Sequence, residues 1–390
     1  MANIRMNEGK IQEAILYFLS GIEKCEEMRR SLRDNDEFKI SFSDVNIRSY
    51  RDLSMLLCGT GNPVEALYVS ELSRARGLAD LMSAQYFQYS VENQISADPR
   101  TWVGLESTVA KICNRTCLYV SYYSEMILLW ILKTDGFTHF QAIEGNDLIA
   151  REGLSQKVED FLDFRSFGVL PDKICEDRSL HVFQPESKTC HEGWRFEMEG
   201  KANQGPKMNL PICYKLIIAP VVGFLEGPEI IIVPDRALYQ VPFAALTDTS
   251  KKFLSETFRI RVVPSLTTLK LIDESPADDH CQTGALIVGN PDVGEVHFKG
   301  KLTNIKRLQC AENEARMVAK KLGVEPLLGQ QATKEAVLQG MKSVALIHIA
   351  AHGDAERGEI ALAPTFRVPN GIPQEGLYLL SMTDISKVQL

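Results

Sequence analysis

The sequence predicts an α/β protein: N-terminal helical hairpins followed by an α/β domain with a mainly parallel sheet. Three observations carry that class. Near the start, apolar residues recur with helical period at Ile11, Ala14, Ile15, Phe18, Leu19 and Ile22. Farther on, short aliphatic runs alternate with amphipathic stretches, a pattern that right-handed crossovers fold into a parallel sheet. One such run, residues 344–347, leads into two histidines at the carboxyl end of a strand, where open α/β sheets keep their sites.

Composition narrows the function classes. At 390 residues and 43.7 kDa the chain suits two or three domains. Lys plus Arg number 43 against 51 Asp plus Glu, a net charge of −8. That acidic balance, without a basic stripe, argues against nucleic acid or an anionic membrane as partner. The longest apolar stretches, such as residues 126–132, fall short of a membrane span, and the opening MANIRMNEGKIQEAI has no apolar signal core. A cytoplasmic protein is the expectation. The cysteines, an odd number spread from Cys25 to Cys310, do not resemble a disulfide framework and read mostly as small buried residues. Cys113 and Cys117 stand four apart and Cys190 adjoins His191, yet no second pair completes a zinc pattern. Neither metal nor cofactor is expected.

The first helix runs from Gly9 to about Cys25. A second pair follows, with Tyr50, Leu53, Leu56 and Leu57 on one face. Gly59-Thr60-Gly61-Asn62-Pro63 breaks the chain, and Val64, Ala66, Leu67, Val69, Leu72 and Leu78 continue the pattern to about Tyr86. Pro63 suits a first helical turn, where its missing N–H costs nothing. GKIQEAILYF and GNPVEALYVS match at Gly9 and Gly61, Glu13 and Glu65, Ala14 and Ala66. The pair reads either as a degenerate helical-hairpin repeat or as a plain amphipathic hairpin. Arg74 and Arg76 read as a solvated or ion-paired face.

From about Asp98 the period changes. Residues 117–123 and 126–132 read as strands joined by Ser124-Glu125, and 140–143 as a third, with Asp135-Gly136 as the turn between the last two. A helix carrying Leu154, Val158, Phe161 and Leu162 comes next. Residues 171–205 are polar, with scattered Gly and Pro and no period: a long surface loop or insertion. Residues 210–224 read as a helix limited by Pro211 and Pro220. Strands follow at 230–233, 259–263 and 285–288, with a helix opened by Pro264-Ser265. Residues 311–322 are amphipathic, 326–328 extended, and 333–341 lead back to the histidine strand. GEVHFKGK, residues 294–301, has one residue too many between its glycines for a phosphate loop, and Leu302 stands where a hydroxyl is needed.

The histidine strand reads as buried on both faces, in the middle of the sheet. It delivers His348, Ala350, Ala351, His352 and Gly353 to its carboxyl end, and Ile360-Ala361-Leu362 reads as a return strand. His352 at the lip suits a general base, its ordinary pKa lying near physiological pH. The plainer alternative is a histidine that only bonds a backbone carbonyl. Ala350, Ala351 and Gly353 leave space for a substrate backbone and favour the first reading.

HIAAHG, taken with GNPVEALYVSELSRARGLADLM, VPDRALYQVPFAAL, RIRVVPSLTTL and ALIVGNP, resembles the family of tetratricopeptide-repeat proteins with a C-terminal CHAT domain. The spacing from Gly9 to Gly61 exceeds the roughly 34 residues of one such repeat. The resemblance implies a caspase-like fold whose active members are cysteine endopeptidases. It gives His352 the place of the catalytic histidine and His348 that of a buried structural one, beside Gly353. It divides the chain into a helical region, 1–97, and a CHAT domain, 98–390, with an insertion near 171–205. It puts the nucleophilic cysteine beyond a segment like LSMTDISKVQL, where this sequence stops, so a C-terminally truncated domain is expected. No cysteine follows His352, and Cys310 heads a helix before the histidine strand. The leading expectation is an inactive caspase-like domain behind helices that bind a protein or peptide partner. The alternative is a cysteine endopeptidase using His352 with a cysteine encoded beyond Leu390.

Overall fold

The computed structural model describes residues 1–32, 36–86, 115–133, 136–162, 178–180, 209–274, 283–354, 357–365 and 371–388. The chain divides into two compact units, Met1–Ser166 with Ala202–Ser275, and Phe167–Lys201 with Pro276–Leu390. The expected boundary at 97/98, the cysteines Cys113 and Cys190, Asp135 of the expected turn and most of 171–205 lie outside the described residues.

The first unit opens with α1 (Ala2–Asn7), α2 (Ile11–Ser31), α3 (Asp36–Gly59), α4 (Pro63–Leu72) and α5 (Arg76–Tyr86). Pro63 is indeed the first residue of α4. The stretch read as one helix to Tyr86 is two, broken at Ala75, which sits at φ 47 in the left-handed region. The break turns Arg74 inward. Both Arg74 and Arg76 are buried rather than on a solvated face. Arg76 does form an ion pair, Nη2 to Glu26 Oε2 at 3.0 Å. Arg74 forms neither kind of surface contact: its Nη1 donates to the Val233 carbonyl at 2.8 Å, its Nη2 to the Val120 carbonyl at 2.6 Å and to Ser121 Oγ, and it lies over the Tyr119 ring.

The strands of this unit are β1 (Thr116–Tyr123), β2 (Met126–Lys133), β3 (Gly136–Glu144), β4 (Glu229–Val233) and β5 (Arg259–Val262), in the order β3-β2-β1-β4-β5. Two-residue turn geometry at Ser124 and Glu125, both at positive φ, makes β1–β2 antiparallel, as is β2–β3. β1–β4 and β4–β5, which need crossovers, are parallel. One core joins the helices to this sheet: Phe18, Ile22, Leu53, Leu67 and Leu72 pack with Tyr119, Trp130, Ile231 and Leu266. Trp130 Nε1 donates to the Pro63 carbonyl at 2.7 Å, fixing β2 to the start of α4. The helix expected at 210–224 runs as Asn209–Cys213, continues in a wider π turn over Tyr214–Ile218, and gives way after Pro220 to a 3-10 turn, Val222–Phe224.

In the second unit β6 (Ala285–Pro291) lies between β9 (Leu327–Gly329) and β10 (Leu346–Ala350), all parallel. Between β6 and β9 run the hairpin β7 (Gly294–Phe298) and β8 (Lys301–Ile305) and the helix Gln309–Leu322. GEVHFKGK is therefore a strand and its turn, with Lys299 and Gly300 at the positive φ that a tight hairpin requires. The helix Lys334–Met341, capped by Thr333, returns the chain to β10. A second small sheet holds β11 (Gly353–Asp354), β12 (Glu359–Ala361) and β13 (Leu379–Leu380).

Two expectations about the histidine strand fail here. β10 is not central: among the described residues it has β6 on one side and no strand on the other. Leu346 and Ile347 are accordingly 42% and 39% exposed. An aliphatic run signals a strand, but burial depends on neighbours that the run itself does not encode. The return strand at 360–362 also pairs elsewhere, β12 lying antiparallel to β11 and β13.

Candidate functional site

The site is assembled by close approach of a helix to β6. A side chain on Gly289 would sit 2.3 Å from Ala315 Cβ, so only glycine lets the helix Gln309–Leu322 lie this near the sheet. Leu308 and Ala311 pack on Ala350 as a result. The residues leading into that helix then meet the end of β10: His352 Nε2 lies 2.9 Å from the Lys306 carbonyl. Asn290, at the end of β6, holds the same lead-in by accepting from the Leu308 N–H at 2.6 Å, and donates to Glu312 at 2.8 Å.

That contact fixes the chemistry of His352. A carbonyl only accepts, so Nε2 carries a proton and the lone pair of the neutral ring is on Nδ1. Nδ1 is buried and has no hydrogen-bond partner, in a residue 9% exposed. The carbonyl-bonding and general-base readings therefore hold different nitrogens of one ring and do not exclude each other.

His348 lies four residues back and is half-buried, not sealed in the core. Its Nε2 is 3.0 Å from Glu314 Oε1, and Glu314 Oε2 accepts from Arg178 Nη2 at 2.7 Å. The Arg178 hydrogen bond, outweighing desolvation, holds the Glu314 carboxyl below its ordinary range. Gly353 is bonded on two sides. It pairs with Ile360 of β12, while its N–H donates to the Arg178 carbonyl at 2.8 Å and its carbonyl accepts from Leu180 N–H at 3.0 Å. Asp354, buried, pairs with Lys299 Nζ at 2.8 Å. A cleft of about 530 Å³ opens near the ends of β6 and β9, lined by Asp292, Glu295, Gln330 and Thr333 among others.

Among the described residues no thiol is bonded to His352 Nδ1. Burial pushes Cys58 and Cys213 up to about 12 and raises Cys25 and Cys117 as well, so these stay protonated at neutral pH. Cys310 is exposed on the first turn of its helix, four residues past the carbonyl that holds His352. The sequence singled out His348, His352 and Gly353, and the structure does gather them at one end of β10. It did not single out Lys306, Glu314 or Arg178. Lys306 acts through its backbone, and the two charged residues come from an amphipathic helix and from a polar stretch without period, so no spacing marked them.

Residues 213–390 match the CHAT domain family. The chain is 23% identical, over 92% of its length, to tetratricopeptide repeat protein 28 of Homo sapiens, and 23% identical over 91% to the protein of that name in Mus musculus. It spans 17% and 18% of those relatives, less than a fifth of either. The resemblance read from HIAAHG and its companion motifs thus extends along nearly the whole chain.

Proposed function

We propose that this tetratricopeptide repeat protein 28-like chain, with its CHAT segment, is a protein-interaction module whose caspase-like part does not hydrolyse peptides within these 390 residues. One observation carries the reading: His352 holds a lone pair on Nδ1 that has no hydrogen-bond partner, thiol or other, among the described residues. A general base without its nucleophile turns over nothing. The interaction role rests on the relatives' repeat character and on α2, which leaves Leu16, Tyr17 and Met28 exposed. The partner is a protein or an extended or helical peptide, met in a reducing compartment such as the cytoplasm. No helix among the described residues is long and apolar enough to cross a membrane.

The test is an incubation of the purified chain with a complex peptide library, read by mass spectrometry, beside His352→Ala. No new termini from either protein is the expected outcome. Cleavage that His352→Ala abolishes overturns the reading. Deleting the helices is not a usable control, because they share a core with the first sheet; Leu16→Glu with Tyr17→Glu tests the binding face instead, and is expected to weaken partner binding without unfolding.

A second reading has a specific observation behind it. Among the described residues β10 has a strand on one side only, which leaves room in the pairing pattern for one more strand. A thiol supplied there from outside these residues gives up its proton to Nδ1, attacks the peptide carbonyl, and the departing amine takes that proton. Water then hydrolyses the thioester.

A further inference from the structure

The edge of Gly353 is occupied by a segment from far away in sequence. Residues 178–180 lie in the polar stretch that the sequence marks as a loop or insertion, yet they add a short parallel partner to β11. The bridge pairs Ser179 with Gly353 through the two backbone hydrogen bonds at 2.8 and 3.0 Å. Both flanking side chains are received. Arg178 meets Glu314, whose other carboxylate oxygen lies 3.0 Å from His348 Nε2. Leu180, 5% exposed, sits among Val293, Val296, Phe298, Tyr378 and Leu379.

We propose that this is a peptide-binding groove occupied in cis. Its ligand is an extended peptide carrying an arginine and, two residues on, a leucine. Main-chain bonds to Gly353 supply the pairing, Glu314 reads the cation, and the apolar pocket reads the aliphatic side chain, as in strand addition at other sheet edges. The polar segment is its own competitor. A tethered occupant presents itself at about millimolar effective concentration, which a free peptide must overcome. The groove adjoins His352 by one residue in the chain. None of this depends on whether His352 ever meets a thiol, nor on the N-terminal helices.

The test uses the full chain and a labelled peptide of the sequence of residues 176–182, EDRSLHV, in fluorescence anisotropy. Arg178→Ala with Leu180→Ala vacates the groove. The vacated protein is expected to bind the peptide at least about tenfold more tightly than the parent chain, because the parent is open for only a fraction of the time. A peptide with aspartate in place of its leucine is expected to bind neither. Equal affinity for both proteins, or no binding by a vacated protein whose circular dichroism and melting match the parent, overturns the proposal. Should the double variant not fold, Arg178→Ala alone, removing a half-exposed ion pair, is read by hydrogen exchange. Saturating peptide is expected to strip protection from its Leu180 amide, and unchanged protection there overturns the proposal too.

Discussion

β4 and β10 are both five-residue strands built mainly of aliphatic residues. One reads Glu-Ile-Ile-Ile-Val and the other Leu-Ile-His-Ile-Ala, and both are parallel strands. β4 lies between β1 and β5 and is buried at every position; β10 has only β6 beside it among the described residues and is exposed over its first two residues. The difference teaches that aliphatic composition specifies a strand, while neighbours decide whether it becomes a sealed core or an open edge. The sealed sheet is locked further by Arg74, whose guanidinium ties the ends of β1 and β4 together. The open one carries His348 and leads into His352 and Gly353.

Removing Arg74 is expected to have the largest effect. Arg74→Met leaves the Val233 and Val120 carbonyls and the Ser121 hydroxyl without their buried donor, and should cost about 3 kcal/mol in denaturant unfolding of the first unit. A loss below 1 kcal/mol would mean that water replaces the guanidinium and that this sheet is less sealed than β4 indicates.

Paired threonine substitutions sharpen the contrast directly. Ile231→Thr buries a hydroxyl in a fully enclosed position and should cost about 2 kcal/mol. Ile347→Thr, at a position 39% exposed, should cost less than about 0.5 kcal/mol. Similar penalties at both positions would remove the distinction.

The smallest expected effect is a pH dependence confined to the first unit. Glu71 is fully buried, its Oε1 accepting from the N–H and hydroxyl of Thr267 at 2.7 Å, its Oε2 without a partner. Burial raises its carboxyl above the ordinary range, against the pull of Thr267 and Arg74. A raised folded-state pKa stabilises the fold while the carboxyl keeps its proton. That contribution is complete below the ordinary glutamate value, about 4.3, and is lost as pH rises through the raised one. Denaturant midpoints should therefore fall across that window, and Glu71→Gln should flatten the slope. A slope unchanged by Glu71→Gln would locate the titration elsewhere.

Much of the architecture was legible because period and turn chemistry are local. The α2 stripe, Pro63 at a helix start, the Ser124-Glu125 hairpin and the places of β4 and β6 all follow from residues a few positions apart. The candidate site was legible only as far as one strand reaches. His352 and Gly353 were found, but the Lys306 carbonyl, the Glu314 carboxylate and residues 178–180 arrive from other elements, by contacts that leave no spacing in the sequence. Arg74 was misread for the same reason. Its burial depends on a left-handed turn at an alanine, Ala75, a residue type that carries no signal for positive φ.

Native-state hydrogen exchange resolved to single amides tests the division most directly. The amides of Ile231 and Ile232 in β4 are expected to exchange only through unfolding of the whole first unit. In β10, those amides between Leu346 and Ala350 that face away from β6 are expected to exchange at near-unprotected rates, while those bonded to β6 are slowed. Uniform protection along β10, matching that of β4, would contradict the account: the histidine strand would then be as closed as the sheet it has been compared with.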